Sequence, residues 1–392
     1  MDLVSMRKVR RILVTLVVSP IAAVLWILRI RFLWVTNPDR IGHLAAEPDA
    51  YLKQKRLGQL PAHFGILVIP ADKVANRALL TLWQSLIPSI SDPKVVRLVF
   101  VLWRFRFLWL DFDQYIVPRE GRPGTYYQIL QHWGNRPPVL RLSAEIAARG
   151  DDAMERLGVP KGAWFACIHV REAGFSQWDD RLHDYRNCNI SNYLGAVDEV
   201  VRRGGWCIRM GDTTATPLQS HPRFIDYAHS AERSDWMDLY LSSRCRIFLG
   251  TTSGLIVTAM AFGPPCIMSN FVPISCIQHT TSGFCMPKLL RERSSGRFLT
   301  FKELAESEYL VSYSGMDAIP GIEIVENSSD ELLEAVRELL DELEGQDVFC
   351  GDAPDLARRF LSIYPDGHFA SYAQSRVSPS FLRKYRDLLP PA

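Results

Sequence analysis

Trp164-Phe165-Ala166-Cys167-Ile168-His169-Val170-Arg171-Glu172 is an apolar run that ends in a histidine, a cation and an acid. Its pattern predicts a strand over 164–170 that opens an α/β series. Two later segments end in a similar way. Ile208-Arg209-Met210-Gly211-Asp212 closes a strand over 206–210, and Gly250-Thr251-Thr252-Ser253-Gly254 joins a strand at 246–249 to an apolar helix at 255–262. Between them the spacing of Ile190, Tyr193, Leu194, Val197 and Val201 predicts a helix that stops at Gly204-Gly205. A helix at 236–242, a strand at 265–268 and an acidic amphipathic helix at 328–343 complete this half. Ser328 and Glu331 have the spacing of a capping box.

In open α/β sheets, ligands bind beyond the carboxyl ends of the strands. That rule places His169, Arg171, Arg209, Gly211, Asp212, Thr251, Thr252, Ser253 and Gly254 on one rim. Arg171 has the planar fork that suits a diphosphate. The Thr/Ser run precedes a helix, where free N–H groups and hydroxyls suit phosphate oxygens. Plain structural roles stand beside these: an ion pair for Arg171, an N-cap for Thr252 or Ser253. Three such segments on one rim favour an anionic pocket for a nucleotide or sugar nucleotide.

Other phosphate signatures are missing. The chain has no GxxxxGK[ST] and no GxGxxG after a strand, which argues against a P-loop or dinucleotide fold. Asp111-Phe112-Asp113 matches the DxD pattern of metal-dependent sugar transfer, but three-residue patterns arise by chance. Cys276, His279 and Cys285 lie close together without a fourth ligand. No metal and no cofactor is assigned.

Toward the N-terminus, 31–35 reads as a strand ending at Thr36-Asn37-Pro38-Asp39, and 40–57 as a helix. A buried strand at 64–69 and a helix at 73–86 follow, again an α/β unit. The stretch 111–138 is rich in Gly, Pro and aromatics and reads as loop. These elements predict five segments: a hydrophobic segment 1–30, a first Rossmann-like domain 31–142, a linker helix 143–160, a second Rossmann-like domain 161–345 and a helical tail 346–392.

Length supports two domains, since 392 residues is long for one core. The apolar fraction of 47% with 22% charged residues is that of a globular chain. A net charge of +2 gives no case for nucleic-acid binding. Eight cysteines without CxxC spacing fit reduced thiols in a cytoplasmic setting. Residues 12–28 form an uncharged, mostly apolar run between Arg7, Lys8, Arg10, Arg11 and Arg29, Arg31. It is short for a span, carries Pro20, and has basic flanks on both sides, which suits a segment lying on a membrane surface. The other reading is a hydrophobic first helix of the soluble fold.

His169-Val170-Arg171 resembles the His-x-Arg motif of the GT-B fucosyltransferases, and Asp238, fifteen residues before Ser253, is similar to their aspartate ahead of a Ser/Thr pair. The resemblance implies that the arginine holds the donor diphosphate, that the aspartate and histidine contact the base or ribose side, and that the Ser/Thr pair touches phosphate. A wider pattern is similar to bacterial glycosyltransferases encoded with surface-polysaccharide genes. It comprises Arg40-Ile41-Gly42-His43, Tyr185-Arg186-Asn187, Ile-Arg-Met-Gly-Asp and Gly250-Thr251-x-Ser253-Gly254, over about residues 35–275. Glu172 departs from the fucosyltransferases, which often carry a second basic residue there.

The resemblance implies a GT-B-like fold, two Rossmann-like domains facing a cleft, and the run 12–28 adds an N-terminal hydrophobic helix. The implied activity is inverting, metal-independent transfer from a nucleotide-sugar donor to a glycan or lipid-linked acceptor. The basic-flanked N-terminal segment sets the expected place of that activity, the cytoplasmic face of the inner membrane. Arg171 and Glu172 are the expected catalytic residues. Gly42, His43, His169, Arg186, Asn187, Arg209, Gly211, Asp212, Asp238, Thr251, Thr252, Ser253 and Gly254 are the expected substrate contacts. Glu172, Asp179, Asp180, His183 and His43 are open as general base. A nucleotide-sugar epimerase or hydrolase, and a non-catalytic binding subunit at the membrane, are the alternatives.

Overall fold

The computed structural model describes residues 3–115, 125–174, 183–218, 221–277, 282–306, 320–373 and 375–391. The chain divides into two compact units, Met1–Ile116 and Val117–Ala392.

Unit 1 opens with helix α1 (Leu3–Ile27), followed by β1 (Ile30–Trp34), α2 (Ile41–Arg56), β2 (Phe64–Val68), α3 (Arg77–Gln84), β3 (Ser89–Ile90), α4 (Pro93–Val99) and β4 (Trp109–Asp111). Its sheet has the order β3-β2-β1-β4, and every pairing is parallel. β1 ends beside β4, with Trp34 opposite Asp111. The order reverses between β1 and β4, which makes their carboxyl ends a switch point.

The hydrophobic N-terminal segment is not a separate appendage. Along α1, Ala22 is buried, and Val18 and Leu25 pack with it onto Phe32, Val68, Leu108 and Trp109. No helix among the described residues is long and apolar enough to cross a membrane. In α2, Pro48 lacks the N–H that would bond Leu44 O one turn back. That carbonyl instead accepts a hydrogen bond from Trp83 Nε1 of α3 at 2.8 Å, so the two helices are tied where the ladder is broken.

Unit 2 contains α5 (Thr125–Trp133), α6 (Ala144–Arg156), β5 (Phe165–His169), α7 (Leu194–Arg202), β6 (Trp206–Arg209), β7 (Phe224–Ile225), α8 (Asp235–Arg244), β8 (Ile247–Gly250), α9 (Gly254–Phe262), β9 (Cys266–Phe271) and β10 (Gly283–Pro287). It continues with β11 (Leu289–Glu292), α10 (Phe301–Glu306), β12 (Ile322–Val325), α11 (Ser329–Leu343), α12 (Ala353–Leu361), β13 (Arg376–Val377) and α13 (Pro379–Lys384). Seven strands form one parallel sheet in the order β13-β10-β9-β8-β5-β6-β7, and β11 and β12 form a separate antiparallel pair. The chain runs outward from β5 to β7, then returns to place β8 on the other side of β5. The switch point therefore lies between β5 and β8.

The expected boundaries at 142/143, 160/161 and 345/346 all fall within unit 2. The ring of Tyr127 in α5 lies 5.6 Å from that of Phe369, which ties α5 to the end of the chain. α6 is a packed helix of unit 2 rather than a linker. A Cβ on Gly150 would come within 1.9 Å of the Tyr240 ring, so only glycine lets α6 lie this close on α8. Tyr240 Oη then donates to Asp151 at 2.7 Å. The expected tail supplies the edge strand β13, and Ser378 and Ser380 bond the Glu338 carboxylate of α11 at 2.6 and 2.7 Å. The capping box of α11 is present as read, with Ser328 and Glu331 in reciprocal bonds.

Candidate functional site

At the unit 2 switch point the ladder between β5 and β8 continues into side chains. Thr251 N–H donates to His169 O at 3.1 Å, and Arg171 N–H donates to Thr251 Oγ1 at 2.9 Å. Thr251 is fully buried, so its hydroxyl acts as a strut between the strand ends. Ser253 caps α9 by accepting from Ile256 N–H at 3.5 Å, and its hydroxyl meets His169 Nδ1 at 3.0 Å. Burial, with the Arg171 and Arg209 charges behind it, pulls His169 down to about 4 against the opposing pull of Asp212. His169 is therefore a neutral imidazole at physiological pH, held at one nitrogen.

The segment Tyr185-Arg186-Asn187 folds onto the same rim. Cys188 N–H donates to Arg171 O at 2.9 Å, Arg186 Nη2 donates to Thr252 O, and Lys288 Nζ donates to Asn187 O at 2.7 Å. Lys288 is buried, directly after β10, and pins this loop from below. Neither Arg186 nor Lys288 forms an ion pair among the described residues. Among the described residues, the buried polar atoms Arg186 Nε, Asn187 Oδ1 and Thr252 Oγ1 have no hydrogen-bond partner. Two of these, Arg186 Nε and the Thr252 hydroxyl, are donors that an anion's oxygens would satisfy at this helix N-terminus, while Asn187 Oδ1 would take a donor from the same ligand.

Beneath the rim lies a buried polar chain. Ser269 Oγ donates to Gly250 O at 3.2 Å and shares a hydrogen bond with Tyr193 Oη at 2.8 Å, which accepts from Asn270 Nδ2 at 3.0 Å. Asn270 and Asn327 each donate a backbone N–H to the other's side-chain oxygen, at 2.7 and 2.6 Å. This chain fixes the height of the β8 end.

The β6 end behaves differently from expectation. Arg209 is buried, and its guanidinium donates to the Glu172 carboxylate and to Thr216 O, with Asp226 at 3.4 Å. An expected substrate cation and an expected catalytic acid thus neutralise each other, locking the segment after β5 onto β6. Asp212 caps its own turn, accepting from Thr214 N–H at 2.7 Å. Gly211 has a φ of +148°, a conformation other residues rarely adopt. Its carbonyl accepts from Arg233 Nε at 3.1 Å, which ties the turn to the start of α8. There Tyr227 Oη donates to Asp238 at 2.8 Å. Burial pushes Asp238 up to about 7, against the pull of Tyr227 and Arg233. Gly254 is the first residue of α9.

Unit 1 has its own cluster at the β1/β4 switch point. Gly42 and His43 lie in the first turn of α2. His43 Nδ1 is 2.7 Å from Glu47 Oε1, and Glu47 is 1% exposed with its Oε2 unpartnered among the described residues. Burial pushes the Glu47 carboxyl up, and His43 opposes the shift. Thr36 Oγ1 donates to Asp111 at 3.3 Å, and Arg106 approaches Asp111 at 3.4 Å. Glu47 and Lys288 belong to these clusters without having been expected there, and Tyr193, expected only on a helix face, joins through its hydroxyl. The i,i+4 spacing of His43 and Glu47 on a helix was a usable signal for the first. Lys288 and Tyr193 gave none, because they reach the rim through tertiary packing. His183 Nδ1 meets Tyr185 Oη at 3.3 Å, while Asp179, Asp180 and His279 lie outside the described residues. Among the described residues no three His, Cys, Asp or Glu groups gather as a metal-ligand set.

No model of a known protein family and no curated protein matches the chain. Among solved structures it is similar to the ADP-heptose lipopolysaccharide heptosyltransferase II of E. coli, at 12% identity and a TM-score of 0.49, over 81% of this chain and 100% of that one. It is also similar to a glycosyl transferase of family 9 from Veillonella parvula, at 10% identity and a TM-score of 0.40, over 61% of this chain and 80% of that one. A third is the iron-containing dodecameric glycosyltransferase TibC from enterotoxigenic E. coli, at 13% identity and a TM-score of 0.38, over 66% of this chain and 61% of that one. At these scores the fold is read from the two sheets themselves.

Proposed function

We propose that the chain is a glycosyltransferase that moves a sugar from a nucleotide-sugar donor to a hydroxyl of a glycan or lipid-linked acceptor, with inversion and without a metal. The observation that carries this reading is the unit 2 switch point. Among the described residues, Arg186 Nε and Thr252 Oγ1 are buried donors without partners, close to the α9 N-terminus and to the strand end that carries Arg171. A diphosphate supplies several oxygens to such a set. As the sugar departs, the diphosphate gains negative charge, and fixed donors aimed there stabilise the transition state more than the ground state. His169, neutral, contributes a ring N–H rather than a charge. Asp238, near α8's start, suits the nucleoside end of the donor.

Glu172 is given a supporting part here, because Arg209 already holds its carboxylate. We assign the acceptor's proton to His43, whose imidazole Glu47 holds in one orientation. A role in bacterial surface-polysaccharide assembly is part of the same proposal.

The test is a thermal-shift panel of GDP-, UDP-, dTDP-, CMP- and ADP-sugars. One of them should raise the melting temperature, since a ligand bound only to the folded state stabilises it. Arg171→Ala should remove that shift and lower transfer at least about a hundredfold, the size expected for losing one charge-stabilising donor. Near-normal turnover in that variant contradicts the assignment. A sugar nucleotide that binds without transfer to any acceptor would instead mark a non-catalytic binding subunit.

A further inference from the structure

Unit 1 carries an apolar face that its own core does not use. One side of α1 (Val18, Ala22, Leu25) is committed to the core. On the rest of the helix Leu16, Val17, Ile21, Val24 and Ile27, and Leu28 just beyond its end, are each more than half exposed. Val17, Ile21, Val24 and Leu28 follow the spacing of one helical stripe. Trp26 meets Phe107 edge-on with ring centroids 5.1 Å apart, and both residues are 48% exposed. Ten of the fifteen large apolar residues exposed among the described residues fall within 16–28 and 95–107. A concentration of this kind marks an interaction surface rather than ordinary monomer surface.

The charge around it decides what the surface fits. Residues 1–35 and 93–110 together hold ten Lys and Arg against one acid, whereas the remaining chain has thirty-five basic against forty-two acidic residues. In sequence, the excess of positive charge therefore lies in the stretches that supply and flank this face. The Arg31 guanidinium stacks over Trp26 at 4.1 Å, and Arg106 over Trp103 at 3.9 Å. Arg104 donates to Thr15 Oγ1 at 2.9 Å, which holds a further cation against α1. Exposed aliphatics, an indole with a stacked guanidinium and a cationic surround match the boundary between acyl chains and anionic headgroups.

We propose that this face is an in-plane docking surface for an anionic lipid bilayer. α1 lies parallel to the membrane, one side in the protein core and the other in the acyl boundary. A helix whose inner side packs on Phe32 and Trp109 cannot cross the bilayer without leaving that core. The proposal stands on unit 1 alone and is independent of the reaction assigned to the protein.

The test is co-sedimentation of the full-length protein with vesicles of phosphatidylcholine alone, and of phosphatidylcholine with phosphatidylglycerol in equal parts. The protein should pellet with the anionic vesicles, weakly with the neutral ones, and less as salt rises. Val17→Asp, Ile21→Asp and Val24→Asp combined should weaken anionic-vesicle binding roughly a hundredfold or more, because three buried aliphatics are lost and three like charges added. These residues are exposed, so the unfolding midpoint should hold. If it does not, Ile21→Ser with Val24→Ser repeats the comparison without new charge. Wild-type binding retained in the variants would overturn the proposal, since the basic residues alone would then suffice. So would a wild-type chain that ignores both vesicles, or one that instead forms a dimer which the variants abolish.

Discussion

Glu172 and Arg209 show how a residue's chemistry and its employment differ. Read along the chain, each is a charged group at a strand end and a natural ligand contact. In the fold Arg209 is 1% exposed, and Glu172 is the carboxylate that neutralises it. Glu172→Gln leaves a buried guanidinium with Thr216 O as an acceptor and Asp226, at 3.4 Å, as its remaining ion-pair partner among the described residues. Urea unfolding should show a loss of roughly 3 kcal/mol, the low end for breaking a buried pair because Asp226 remains. A variant as stable as the parent would return Glu172 to the list of catalytic candidates. Asp238 offers a second test, through pH. Its carboxyl is raised from 3.8 to about 7, so between those values the unfolded state binds fewer protons than the folded one. Stability therefore falls as pH rises through this window. Asp238→Asn keeps the neutral form, so variant and parent should match near pH 4. Above pH 7 the variant should gain, by at most about 4 kcal/mol. A difference between the two that does not change with pH would contradict the buried-carboxyl picture.

At the level of elements, the same contrast separates what the sequence reveals from what it conceals. β5, β6, β8 and α9 were legible because each is an apolar run bounded by turn or cap residues, and their order alone places His169, Arg171 and Thr251–Ser253 on neighbouring strand ends. β7 and β13 were not, since two-residue strands exist only through their partners: Cys285 pairs with Val377, ninety-two positions away. The same long-range pairing turns the expected tail into part of the sheet. α5 was hidden by the Gly- and Pro-rich stretch before it, and its aromatic contact with Phe369 moves the boundary between units. In α2 Pro48 interrupts the hydrogen-bond ladder, and the helix still runs to Arg56, close to the expected end at 57, because Trp83 Nε1 serves the carbonyl that Pro48 leaves free. Trp83→Phe keeps most of the ring and removes that donor. It should cost about 1–3 kcal/mol in denaturant unfolding, the range for a buried carbonyl left unsatisfied. An unchanged midpoint would mean that the carbonyl finds another partner.

For the whole molecule, the informative fact is that two units each carry a parallel sheet with its own switch point, β1/β4 in one and β5/β8 in the other. Each point holds a different chemistry. In unit 1 it is a His–Glu pair with Thr36 and Asp111, suited to taking a proton. In unit 2 it is Arg171, Arg186 and a helix N-terminus, suited to holding an anion. Separate cores allow the units to open as separate cooperative bodies, so a ligand protects first the body that binds it. Amide hydrogen exchange should therefore locate the donor. With the sugar nucleotide that scores in the thermal panel, at about a hundred times its Kd, the bound body gains about 2.7 kcal/mol against opening. Slowed exchange is expected at the end of β5, through Thr251–Ile256 and across Asp184–Cys188, because those backbone groups frame the cations. β1 and β2 should keep their ligand-free rates. Protection appearing only around Thr36, His43 and Asp111 would place the donor in unit 1 and reverse the assignment of the two switch points.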